Sequence, residues 1–181
     1  IKGSDAVTVT FSTDGASNNG TFMESLNLAA IWNLAFVLVI ENNQYAVSTT
    51  IEESTREPDL YKRGLGIGVE SHQVDGNDPL AVYEMTQDAV AKCRAGKGPI
   101  LIEAKTFRHM GHHVNDPGKY MPADKLAYYK ARDPVSYTHL RAHETVLDLV
   151  CRLLLEKKKK NTTSQPISHH NSSIVYSTRN T

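Results

Sequence analysis

Phe36-Val37-Leu38-Val39-Ile40 is an unbroken apolar run that closes on Glu41-Asn42-Asn43. Five apolar residues without polar alternation suit a β-strand buried on both faces, and such strands belong to parallel sheets covered by helices on either side. Upstream, Phe22, Met23, Leu26, Ala29, Ala30 and Trp32 recur at close to helical spacing, so residues 22–32 are expected to form an amphipathic helix packed on the sheet. Before that helix, residues 6–11 are β-prone, and Asp14-Gly15 leading to Asn18-Asn19-Gly20 signals a turn. Strand, helix and strand make a first βαβ unit.

The pattern repeats downstream. Asp75-Gly76-Asn77-Asp78-Pro79 offers capping side chains and a first-turn proline, and Gly96 supplies a stop, which brackets a second helix. Val82, Met85, Ala89 and Cys93 share one face of it, which makes Cys93 a packing residue rather than a reactive thiol. Residues 99–106, with Ile100, Leu101 and Ile102, read as a third strand. The expected fold class is therefore α/β, with a parallel, doubly wound sheet. In such sheets ligands bind beyond the carboxyl ends of the strands. Three polar loops, 14–20, 42–45 and 107–118, follow the three strands and are expected to converge.

Bulk properties exclude more than they select. The chain has 181 residues, one domain's worth. Before Pro134 it carries 13 Lys+Arg against 17 Asp+Glu, and from there onward 7 against 3. An acidic front part has no electrostatic footprint for nucleic acid, and no apolar run approaches the length of a membrane span. Cys93 and Cys151 fit no metal or redox spacing, so a reducing compartment such as the cytoplasm is expected. No signal peptide is visible; the chain opens on Ile1 rather than Met, and the true N-terminus is expected to be missing.

The first two loops carry the chemistry. Asp14-Gly15 is followed, after 26 intervening residues, by Asn42-Asn43. A carboxylate and a carboxamide at the ends of adjacent strands are hard oxygen ligands suited to Mg²⁺ or Ca²⁺ and not to zinc. The small residues Gly15 and Ala16 leave room for a diphosphate near the start of the following helix. By itself the pattern fits equally a turn and a loop that bind nothing. A zinc site on His109, His112 and His113 is a further alternative, but no fourth ligand is in view.

Asp14-Gly15-Ala16-Ser17-Asn18-Asn19-Gly20-Thr21-Phe22, followed by Glu41-Asn42-Asn43-Gln44-Tyr45-Ala46, resembles the thiamine-diphosphate motif of the alpha subunits of 2-oxo acid and acetoin dehydrogenases, over residues 5–135. The resemblance implies an incomplete thiamine-diphosphate-binding fold, the part that holds the diphosphate. Carried over residue by residue, it implies that Asp14 and Asn43 bind Mg²⁺ through their side chains and Tyr45 through its backbone carbonyl. Phe107-Arg108-His109-Met110-Gly111-His112-His113, leading to Asp116-Pro117-Gly118, is similar to the family's mobile loop at the mouth of the active site. There His112 would stand beside the cofactor and the incoming lipoyl group. His113 occupies the place of a phosphorylatable serine in mitochondrial relatives, so regulation at that position is not expected. Thr13 replaces the usual glycine before the Asp, and Asn19 stands where Glu or Gln is common.

The resemblance further implies an assembly with a beta subunit, which supplies the glutamate that activates the aminopyrimidine, and transfer of an acyl group to a lipoyl-bearing acyltransferase. The resemblance ranks acetoin first as the substrate, pyruvate next and branched-chain 2-oxo acids behind them; a non-enzymatic Mg²⁺-diphosphate binder and an inert truncated product are the other readings. Residues 1–133 are expected to be a partial thiamine-diphosphate-binding domain, inactive alone. Residues 134–145 read as the translation of a common transposase-based sequencing adapter, so 134–181 is expected to be a non-native tail, with 161–181, rich in Ser, Thr, Asn and His, disordered.

Overall fold

In the computed structural model, residues 3–136 are described. Most of the stretch expected to be a non-native tail, residues 137–181, lies outside them.

Four strands form one parallel sheet: β1 (Thr8–Thr13), β2 (Phe36–Asn42), β5 (Glu70–Asp75) and β6 (Ile100–Lys105), in the order β1-β2-β6-β5. A two-stranded hairpin, β3 (Tyr45–Ala46) and β4 (Thr49–Thr50), follows β2. The helices are α1 (Gly20–Ile31), α2 (Ile51–Ser54), α3 (Lys62–Leu65), α4 (Pro79–Arg94) and α5 (Ala123–Ala131). Among the described residues no helix is long and apolar enough to cross a membrane.

Successive residues of a strand point to opposite faces, and β2 shows what that demands of a central strand. Val37 and Val39 join Val74, Ala89, Cys93, Ile100 and Ile102 on the face covered by α4. Leu38 and Ile40 join Leu26, Ile51, Leu60, Val69 and Leu101 on the other. Helices on both faces of a parallel sheet bear out the expected fold class. Each fully buried Val, Leu or Ile contributes roughly 1.5–3 kcal/mol, so β2 and β6, lined on both faces, anchor the domain.

Helix α4 ends where its sequence signals lie. Asp78 Oδ1 accepts hydrogen bonds from the N–H groups of Leu80 and Ala81, Pro79 opens the first turn, and Gly96 takes the left-handed conformation past the end. Cys93 is buried in the core. Helix α1 packs on the sheet as expected, Leu26 lying in the core with Phe22 and Ala30 against it. It starts two residues before the expected segment, capped by Asn19, and buries only Leu26 and Ala29. Leu28, Ile31 and Trp32 are exposed, the last at 64%. The sheet also contains a strand beyond the expected three, β5, which enters at the edge beside β6.

Candidate functional site

Parallel register brings the ends of the strands to one edge. Thr13 pairs with Glu41, Glu41 with Ala104, and Asn42 with Lys105, so the loops after β1, β2 and β6 leave the sheet side by side, as expected.

Asp14, the first residue past β1, is 2% exposed, and its Oδ1 is buried without a hydrogen-bond partner. Burial pushes its carboxyl pKa up; the N–H groups of Asp14, Gly15 and Asn43 and the positive charge of Arg108 pull the other way. A carboxylate withdrawn from water with an oxygen left unpartnered is what a cation site presents before the cation is counted. Thiamine diphosphate with Mg²⁺ fits this donor set, because Mg²⁺ takes oxygen ligands and keeps positions for phosphate.

The Asn43–Tyr45 turn faces it. Asn43 Oδ1 accepts the N–H of Tyr45 at 3.1 Å, and Gln44 between them has φ 70, an uncommon conformation for a residue with a side chain. Four bonds pin this turn to β6 and its loop. Asn42 Nδ2 donates to Glu103 Oε1 at 2.6 Å, Gln44 Nε2 donates to Thr106 O at 2.9 Å, Thr106 N–H donates to Asn42 O, and Arg108 N–H donates to Asn43 O. The Tyr45 ring is buried against Phe107 and Tyr120.

Gly15 is demanded by close approach: a Cβ there would lie 2.7 Å from the Cβ of Ala46. The Ala16 N–H points to Thr13 Oγ1 at 3.3 Å, so the threonine that replaces glycine takes up an amide at the place expected for the diphosphate. Arg63 binds the same loop to α3, donating from Nη1 to Ser17 Oγ at 3.0 Å and from Nη2 to Asn18 Oδ1 at 2.6 Å.

Arg108 organises the third loop. Its guanidinium donates to the Tyr120 hydroxyl at 2.6 Å and to Val47 O, and lies 5.6 Å from the centroid of the Tyr45 ring. Tyr120 in turn donates to Asp116 Oδ2 at 2.6 Å. That bond and the N–H groups of His112 and Gly118 hold the Asp116 carboxyl down at about 2. Gly111 is also required, since a Cβ would come within 2.0 Å of Asp116 O.

Asp14, Asn43 and Tyr45 are thus brought to one edge around Arg108. His112 is exposed; Arg108 Nη1 lies 3.5 Å from its Nδ1, and its backbone N–H donates to Asp116 Oδ2. His109 sits deeper, with Nδ1 3.7 Å from Asp133 Oδ2 and Nε2 buried without a partner. Among the described residues no group of three or more His, Cys, Asp or Glu side chains is placed to hold a metal, so His109, His112 and His113 do not form a zinc site. Sequence reasoning passed over Arg108, Asp116, Tyr120 and Glu103. Glu103 left a visible signal, an acidic residue inside an apolar strand.

Fold and site together define an α/β protein with a buried carboxylate and converging polar loops at the carboxyl ends of its parallel strands. A model of the family described as "Dehydrogenase E1 component" matches residues 1–161, and the match runs past Asp133 into the stretch read as adapter-derived. The chain belongs to the dehydrogenase E1 component family, as the motif resemblance implied. It is similar to the pyruvate dehydrogenase E1 component subunit alpha of Rhizobium meliloti (strain 1021), 38% identical over 141 residues, covering 77% of this chain and 40% of that protein. It is also similar to the chloroplastic subunit alpha-3 of Oryza sativa subsp. japonica, 41% identical over 130 residues, covering 72% of this chain and 31% of the other. The Rickettsia conorii subunit alpha is 39% identical over 139 residues, covering 77% and 41%. The chain spans less than half the length of these curated relatives.

Proposed function

We propose that this chain is the part of a thiamine-diphosphate-dependent dehydrogenase alpha subunit that holds the Mg²⁺-diphosphate end of the cofactor. The observation that carries the reading is the buried, unpartnered Oδ1 of Asp14 beside the Asn43–Tyr45 turn. Asp14 and Asn43 would bind Mg²⁺ through side-chain oxygens and Tyr45 through its carbonyl, with Gly15 and Ala16 against the diphosphate. Thiamine diphosphate, when bound, supplies the carbon nucleophile that attacks a substrate carbonyl.

The chain's own residues orient that chemistry and screen it. Arg108 balances the charge of Asp14 and ties the third loop down over the turn. His112, on that loop, moves a proton during transfer of the acyl group to a lipoyl arm, a role that histidine side chains commonly take. The partners are a beta subunit of the same enzyme and a lipoyl-bearing acyltransferase, in the bacterial cytoplasm. The names of the relatives support pyruvate as the substrate over acetoin or a branched-chain 2-oxo acid.

The test is turnover of pyruvate and of acetoin, with an artificial electron acceptor, by the alpha-beta assembly that contains this chain. Pyruvate turnover that requires both thiamine diphosphate and Mg²⁺, and is lost in Asp14→Ala, is expected. Turnover unaffected by Asp14→Ala would overturn the ligand reading, and turnover of acetoin alone would overturn the substrate.

A further inference from the structure

Glu103 lies within β6, whose other core positions are Ile100, Leu101, Ile102 and Ala104, and it is fully buried. A carboxyl group wholly removed from water persists where its surroundings satisfy it. Here three donors do so: Asn42 Nδ2 at 2.6 Å to Oε1, and Tyr61 N–H at 3.1 Å and Gln73 Nε2 at 3.0 Å to Oε2. All three partners donate, which matches an acceptor-only group.

The consequence falls on Asn42. With its amide nitrogen committed to Glu103, its Oδ1 must face the other way, where it accepts the N–H of Gln44 at 3.2 Å. Gln44 is the residue held at φ 70 between Asn43 and Tyr45. A residue with a side chain occupies that region only where its neighbours hold it there. Its conformation sets the direction of the Asn43 side chain relative to the Tyr45 carbonyl.

We propose that Glu103 is a positioning residue for the cation site: through the Asn42 amide it fixes the left-handed turn at Gln44 and so directs Asn43 Oδ1 and the Tyr45 carbonyl oxygen toward Asp14. This rests on the reading of Asp14, Asn43 and Tyr45 as the Mg²⁺ ligands.

Glu103→Gln changes one oxygen for an NH₂ without changing shape. The Tyr61 N–H is backbone and cannot turn, so the remaining oxygen stays with it and the new NH₂ faces Asn42. Asn42 then rotates, presenting its own NH₂ to the Gln44 N–H, donor to donor, and the turn is released. Adding Asn42→Asp restores the chain of bonds, because a carboxylate accepts from both sides.

The experiment is calorimetry on the alpha-beta assembly that contains this chain, measuring the Mg²⁺ concentration at which thiamine diphosphate binding is half-maximal. Glu103→Gln raises that concentration by roughly 10- to 100-fold, the usual effect of losing a group that orients a metal ligand. The Glu103→Gln/Asn42→Asp double variant returns it close to wild type. Gln73→Met, which removes a donor at the other carboxylate oxygen, leaves it unchanged. A Glu103→Gln variant with wild-type Mg²⁺ dependence, or a double variant as weak as the single one, overturns the proposal. If Glu103→Gln does not assemble, the comparison is between Asn42→Asp, which sets two carboxylates face to face, and the double variant; equal Mg²⁺ dependence of these two overturns it as well. Wild-type binding that ignores Mg²⁺ would instead overturn the ligand reading, and this proposal with it.

Discussion

Asp14→Asn separates what the carboxylate does for the fold from what it does for the cation. Without a cation, Asp14 holds a buried oxygen that no donor reaches. A buried polar group left without a partner costs roughly 1–3 kcal/mol, and asparagine, of the same shape but uncharged, removes the ionic part of that cost. The cation-free chain carrying Asn at this position is therefore expected to melt higher, by about 2–4 °C for each kcal/mol recovered. The effect depends on pH in a definite direction. Burial raises the folded pKa of Asp14 above its unfolded value. Its contribution is thus complete below the unfolded pKa and is lost as pH rises through the folded one. The variant's advantage should vanish at acid pH and be full at neutral pH. With Mg²⁺ and thiamine diphosphate in the proposed alpha-beta assembly the order should invert: at a hundredfold excess over Kd the wild type would gain about 2.7 kcal/mol and the variant nothing. Thermal melts at acid and neutral pH, with and without the ligands, measure all four corners. A variant less stable than wild type in the absence of cation, or a difference independent of pH, would refute the reasoning.

Tyr120→Phe removes the hydroxyl that joins Arg108 to Asp116, so limited proteolysis should cut the 107–118 loop faster while the sheet stays intact. His112→Ala should depress reductive acylation of the lipoyl domain more than reaction with the first carbonyl, whereas His109→Ala should matter less; equal effects in stopped-flow measurements would put the wrong histidine at the cofactor. A chain ending at Asp133 should melt at the same temperature as the full chain if the residues after it have no evolved packing partner, and a clear loss would restore them to the fold.

The elements legible in the sequence are those whose side chains carry the burial themselves. β2 is apolar on both faces, β6 is so apart from the buried Glu103, and α4 has its Asp78 cap, Pro79 and a terminal Gly96, so their periodicity and punctuation coincide with the structure. β5 was not legible, because Glu-Ser-His-Gln-Val-Asp is an edge strand that buries only Ser71 and Val74 and reads locally as a polar loop. α1 was legible in its apolar spacing, with Leu26 and Ala29 buried, although Trp32 at its end faces out. In the site, Asp14 and Asn43 stand in a recognisable spacing, and Tyr45 follows from the family pattern. Arg108, Asp116 and Tyr120 escaped because their bonds join residues within one loop and, through Arg108, tie it to Val47, which no local period records. Thr13 illustrates a third case, where the substitution was visible but its partner, the Ala16 N–H, was not.

The most direct test of the cation site uses Mn²⁺ in place of Mg²⁺. Crystals of the proposed alpha-beta assembly, grown with Mn²⁺ and thiamine diphosphate, should show one anomalous-scattering peak at this edge, bonded to Asp14 Oδ1, Asn43 Oδ1 and the Tyr45 carbonyl at roughly 2.1 Å. No peak at Asp14, or a fully occupied one among His109, His112 and His113, would contradict the account.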